Sequence, residues 1–212
     1  MLGFGPKQAW LAVRDGDPEL TMAVLGLRDL GPVAWRTGID LVHLRDDRVI
    51  LTPPLPGADG SSWLLVVGRW LAKSTVDTEG LSEILGTDVQ YFATHRVTEW
   101  HRWQRSRDGR LVRSFEYLGE SGEVLDWRGD PDPAERTVGL PATFEPASGS
   151  ADAEAGDEAP RNILVESDEE LDGMAVIVGE DDVFFVAGAW SVDPTTLDGR
   201  PAEGPLRAAA AL

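Results

Sequence analysis

Cysteine is absent from the 212 residues, which excludes disulfides, a thiolate nucleophile, zinc–thiolate sites and iron–sulfur clusters. No stretch approaches the roughly 18 to 20 apolar residues of a membrane-spanning helix. The N-terminal stretch MLGFGPKQAWLAVRDG lacks the charged start and apolar run of an export signal. The expectation is a cytoplasmic protein in a reducing setting, with no membrane contact. Lysine is nearly missing as well, since Lys7 and Lys73 stand against seventeen arginines. Alanine, glycine and aspartate are abundant, so this reads as a GC-rich coding bias with little functional weight. The chain has no P-loop, no G-x-G-x-x-G after a strand and no EF-hand loop. The run from Gly119 to Glu123 falls short of a nucleophile elbow, because G-x-S-x-G needs glycine at 123.

What is present is a reversal of charge between neighbouring segments. Residues 91–113, YFATHRVTEWHRWQRSRDGRLVR, hold six arginines and two histidines against Glu99 and Asp108. From 116 to 182, twenty acids face only Arg128, Arg136 and Arg161, which gives −17 of the formal −18. A polyanionic surface of this kind argues against unaided binding of nucleic acid or anionic lipid. At 42% hydrophobic, the chain is long enough to bury a substantial core.

Residues 8–14 read as a first strand. Asp17-Pro18-Glu19 supplies an N-cap, a proline at the first helical position and an acid in the first turn, which predicts a helix from 18 to about 27. Residues 33–44 fit either a helical turn or a strand. Residues 48–52 and 63–71 read as strands, and 76–85 as a helix closed by Gly86. The clearest part is a meander over 89–128, with strands at 89–96, 99–107, 110–118 and 123–128. Asp108-Gly109 is the signature of a tight type I′ hairpin turn. That turn sets Arg107 opposite Arg110 and, counting on regularly, His101 opposite Glu116. From 129 to 162 the chain has few large apolar residues and much Pro, Gly, Ser, Ala and acid, so it cannot offset its ordering entropy. Residues 146–161 read as a mobile acidic insertion, and order is expected to resume at 163–165. Residues 181–190 are apolar enough to be buried behind an acidic helix start, with a strand as the competing reading for 183–186. Residues 193–197 read as a turn, and the end from 205 as an alanine-rich tail. The fold class is α+β, an antiparallel sheet with two or three packed helices, in a single domain over 1–212.

Four candidate sites follow. In the regular register, Glu99, His101, Trp103 and Glu116 share one sheet face, and carboxylate beside imidazole is the unit of general acid/base catalysis. The plainer reading makes these histidines satisfied groups on a half-buried sheet. No HxH or HExxH spacing is present, so neither a metal nor a cofactor is implied. Arginines including Arg102, Arg105 and Arg113, interleaved with Trp100 and Trp103, have the chemistry to hold an anionic small molecule. The competing reading pairs them with the acids of 116–135, since alternation sends Arg105 and Arg107 to one face and Arg102 and Arg113 to the other. The acidic tract, with Asp152, Glu154, Asp157, Glu158, Asp168, Glu169 and Glu170, suits a basic protein partner or serves as a solubilising loop. The eight tryptophans divide between apolar runs, where core packing is the default, and charged surroundings.

The pattern YFATHR with W-H-x-W, then DGRLVRSFEYLGESGEVL, then GAWSVDPTTL resembles a group of bacterial proteins with no assigned activity. The resemblance spans residues 91–125 and 187–197. It implies that the basic hairpin and the Trp190 segment belong to one domain, and it transfers no catalytic residue. The functional expectation is a non-enzymatic interaction protein of immunity or antitoxin type, neutralising a cationic protein. The alternative is a small enzyme or metabolite-binding protein that uses His101 with Glu116 or Glu99 and the nearby arginines.

Overall fold

The computed structural model describes residues 1–73, 76–144 and 176–211. Its centre is one antiparallel sheet of ten strands: β1 (Ala9–Arg14), β2 (Leu27–Val33), β3 (Arg48–Leu51), β4 (Leu55–Pro56), β5 (Ser62–Val67), β6 (Val89–His95), β7 (Trp100–Arg107), β8 (Arg110–Leu118), β9 (Glu123–Arg128) and β10 (Leu206–Ala211). They run in the order β2-β10-β3-β5-β1-β6-β7-β8-β9, with β4 added to β5. Among the described residues six helices accompany them: α1 (Pro18–Val24), α2 (Trp35–Leu44), α3 (Trp70–Lys73), α4 (Thr78–Leu85), α5 (Pro133–Thr137) and α6 (Glu180–Trp190). A 3₁₀ turn spans Pro194–Leu197. The class is α+β as expected, with more helices than two or three.

Both faces of the sheet are covered, because its central strands β1, β5 and β6 are buried at nearly every position and a strand alternates its side chains between faces. On one face Trp10 stacks on Phe92 (5.2 Å between ring centroids) and on Phe184 of α6 (5.8 Å). Trp103, Phe115, Val42 of α2 and Val186 of α6 join the same cluster. On the other face Leu11, Val66, Val89 and Tyr91 pack with Met22 of α1, Leu71 of α3 and Leu81 of α4. The helix starts are set locally. The Asp17 carboxylate accepts from the Leu20 amide at 2.7 Å, and Asp77 accepts from the Gly80 amide at 2.9 Å. Gly86 closes α4 at φ 64°.

Several expectations are corrected. Helix α1 stops at Val24, and the residues beyond it form β2. Of the ambiguous stretch 33–44, Val33 ends β2 and residues 35–44 form α2. The apolar run 63–71 divides into β5 and α3. Residues 181–190 are helical, in α6, as their acidic start predicted, and the strand reading of 183–186 falls away. The supposed tail is β10, inserted between β2 and β3. Part of 129–162 is ordered: Asp132 caps α5, and Leu140 is buried in the core. Residues 146–165, and with them the expected insertion and its far boundary, lie outside the described residues.

The hairpin turn is as expected, with Asp108 at φ 49° and Gly109 at φ 69°, and Arg107 faces Arg110. Beyond it the regular register fails. Ser106 pairs with Leu111 but Arg105 pairs with Arg113, so Val112 is an extra residue in β8. Such a bulge moves every following side chain to the opposite face. Arg102 therefore lies opposite Glu116, and His101 opposite Tyr117. Gly129, at φ 74°, accommodates the bulge, because a Cβ there would sit 2.2 Å from the Val112 carbonyl oxygen.

Candidate functional site

The bulge decides which groups meet. Glu116 shares its face with Trp100, whose indole N–H donates to Glu116 Oε1 at 2.8 Å, and with Arg102, whose Nε lies 3.5 Å from Glu116 Oε2. The expected His101–Glu116 pair does not form, and neither does the shared face of Glu116 with Glu99, His101 and Trp103. The same shift puts Arg113 directly opposite Arg105, not on the other face with Arg102.

The arginines are taken up by carboxylates. Asp88, 5% exposed, is held by Arg107 Nε at 2.6 Å and by Arg105 Nη2 at 3.2 Å. Burial alone would raise the Asp88 carboxyl, but the hydrogen bonds from Arg107 and Arg105 outweigh it and hold the group below the usual range. Arg113 and Glu135 form a buried pair at 2.7 Å. Glu135 Oε1 also accepts from the Trp103 indole at 2.7 Å, and Oε2 caps the Asp132 amide at 3.0 Å. The Arg113 guanidinium lies 4.4 Å from the Trp127 ring centroid. Arg96 reaches Glu180 at 3.1 Å, while Arg110 is exposed at the turn. Trp103 is fully buried and belongs to the core. Among the candidates, Arg102, Arg105, Arg113 and Trp103 are thus engaged within the fold. Asp152, Glu154, Asp157, Glu158, Asp168, Glu169 and Glu170 lie outside the described residues.

His101 and Glu99 do come together. They line a cavity of ≈ 440 Å³ with Tyr117, Arg96 and Glu180. Glu99 sits just before β7 at φ 49° and its carbonyl accepts from the Gly119 amide at 2.8 Å. Glycine is required at 119, since a Cβ there would lie 2.7 Å from the Glu99 side chain. His101 Nδ1 is 3.0 Å from Thr94 Oγ1. Burial, and secondarily the Glu99 charge, raises the Tyr117 phenol. One oxygen of Glu180 is buried with no hydrogen-bond partner among the described residues. Tyr117 was not among the sequence candidates, because only the bulge turns it toward His101; Arg96 belonged to the arginine cluster and Glu180 to the acidic tract, and only the packing of α6 brings them to this cavity. Among the described residues, no three of the metal-ligating side chains converge to hold an ion, and no helix is long and apolar enough to cross a membrane.

Burial pushes the His101 imidazole down to about 4 from an ordinary 6.5. Between those values the unfolded chain binds more protons than the folded one, so stability is fully present above 6.5 and falls as pH drops through the window. His101→Gln is expected to remove that part of the pH dependence, at most about 3 kcal/mol between pH 7 and 4. His43 is also lowered by burial and adds to the same trend, so the informative quantity is the difference in slope between variant and wild type. Denaturant melts across this range with equal slopes would refute the assignment.

Compared with protein-family models, curated proteins and solved structures, the chain has no match.

Proposed function

We propose that this chain is a non-enzymatic interaction protein of the cytoplasm, which neutralises or regulates a protein with a basic surface, as an immunity protein or antitoxin does. The observation that carries this reading is the fate of the arginines. Five of the six in the cationic hairpin are bound to carboxylates of the same fold, which leaves little free cation there for nucleic acid or phosphate. The surplus charge that remains to meet a partner is negative. Residues 145–175 alone hold ten acids against Arg161. A segment of that sign steers a cationic partner inward and loses its reach as salt rises.

The test is affinity purification of the tagged full chain from its native host at low and high salt. A stoichiometric basic protein, retained at low salt and lost at high salt, is the expected result. Replacing Asp152, Glu154, Asp157, Glu158, Asp168, Glu169 and Glu170 by Asn or Gln is expected to slow its association about tenfold or more at low salt. Unchanged association would sink the electrostatic reading.

A second reading has one observation in its favour, the convergence of neutral His101 with Glu99 and Tyr117 on a cavity of ≈ 440 Å³. A carboxylate and an uncharged imidazole are the parts of a general acid/base site, and the volume suits a small ligand. Native mass spectra of wild-type and His101→Ala protein test it. A small molecule carried by the first and lost from the second supports it, and its absence from both opposes it.

A further inference from the structure

The chain contains two lysines, and the fold brings both to one cavity. Lys7 lies just ahead of β1 and Lys73 ends α3, and together with Arg69, Gln8 and Trp100 they line a space of ≈ 330 Å³. One acid of the lining, Asp46, answers these three cations. Its Oδ1 is 2.9 Å from Arg69 Nη2, and its other oxygen pairs with the Lys73 ammonium. A local excess of positive charge thus stands in a protein of formal charge −18. Screening over about 8 Å at physiological salt makes that local excess, not the distant acids, the field inside the cavity.

Two buried polar atoms at this cavity lack partners among the described residues, Gln8 Oε1 and Arg69 Nε. Gln8 is 1% exposed, and its Nε2 is fixed by His43 Nδ1 at 2.9 Å, so the open end of the amide is an acceptor. An unpaired buried polar atom is destabilising, and a bound group of the right chemistry relieves it. The open donor of Arg69 and the ammonium groups call for an anion, whereas Gln8 Oε1 calls for a hydroxyl. The Trp100 indole N–H is already committed to Glu116, so what Trp100 offers the cavity is ring carbon. We propose that this cavity binds a small sugar phosphate, with the phosphoryl group held by Lys7, Lys73 and Arg69, a sugar hydroxyl donating to Gln8, and the sugar's apolar face on Trp100. This assignment stands independently of the basic-partner reading.

Calorimetric titration of the full chain at low ionic strength tests it, with ribose 5-phosphate as probe and inorganic phosphate and ribose as comparisons. Ribose 5-phosphate is expected to bind about tenfold tighter than inorganic phosphate, and ribose without the phosphoryl group to give no heat at millimolar concentration. Lys7→Ala is expected to weaken the sugar phosphate about tenfold, with melting unchanged because Lys7 is exposed. Trp100→Leu is expected to reduce it to the affinity of inorganic phosphate. The proposal is overturned if ribose 5-phosphate gives no heat, if it binds no tighter than inorganic phosphate, or if Lys7→Ala binds it like the wild type. Should Lys73→Ala fail to fold through loss of its Asp46 pair, Lys7→Ala alone decides.

Discussion

Removing the chain from residue 206 onward is expected to abolish cooperative folding. Those residues form β10, which is paired along one side with β2, from Leu206 opposite Val33 to Ala211 opposite Leu27, and along the other with β3. Without it, β2 loses its only strand partner among the described residues, and β3 presents an open edge. Backbone groups bonded in the ladder would have to find water or another chain. Leu206 and Ala209 are fully buried, and Arg207 is held between Asp29 and Glu19, so apolar contact and ion pairs are lost together. Circular dichroism during a urea melt, with size-exclusion chromatography, checks this. A truncated chain that still unfolds in one sharp transition, at the wild-type midpoint, would show that β10 is dispensable.

Glu135→Ala is expected to cost about 3–5 kcal/mol, the usual penalty for leaving one member of a buried ion pair alone. Arg113 would keep its charge at 3% side-chain exposure, and the Trp103 indole and Asp132 amide would each lose an acceptor. Against a total stability of about 5–15 kcal/mol, the loss is severe, and it corresponds to a melting temperature lower by roughly 10 °C. Arg113→Met combined with Glu135→Leu is expected to be milder than Glu135→Ala alone, because it removes the stranded charge along with its partner. Calorimetric melting of the single and double variants decides the matter, and a single variant within about 1 kcal/mol of wild type would deny the pair its role.

The meander was legible because its signals are local: alternation within each strand, and Asp108-Gly109 between two of them. So were the starts of α1 and α4, each with an aspartate cap. What escaped depends on distant partners. Residues 206–211 are alanine-rich, and alanine has weak strand preference, so only the flanking strands make them a strand. Residues 129–144 look too polar to order, yet Glu135 is buried because Arg113 and Trp103 await it. The register error has a different origin. Val112 is an ordinary strand former, and no glycine or proline in β8 announces the extra residue. One bulge therefore separated His101 from Glu116 and assembled Tyr117 with it instead, which no count along the sequence could foresee.

The outermost strands share a related irregularity. In β2 the register skips Leu30, and in β9 it skips Leu125, so each outer ladder is broken. Next to its break, β2 carries Pro32, which has no amide proton to give. Strand β9 carries Glu123, Asp126 and Arg128. An open sheet is by default a template for its own polymerisation. Here a second copy approaching either margin would meet an interrupted row of donors and acceptors, guarded by charge, and could not continue the pairing in step. Among the described residues the sheet is open at both margins, and each margin is built to end it.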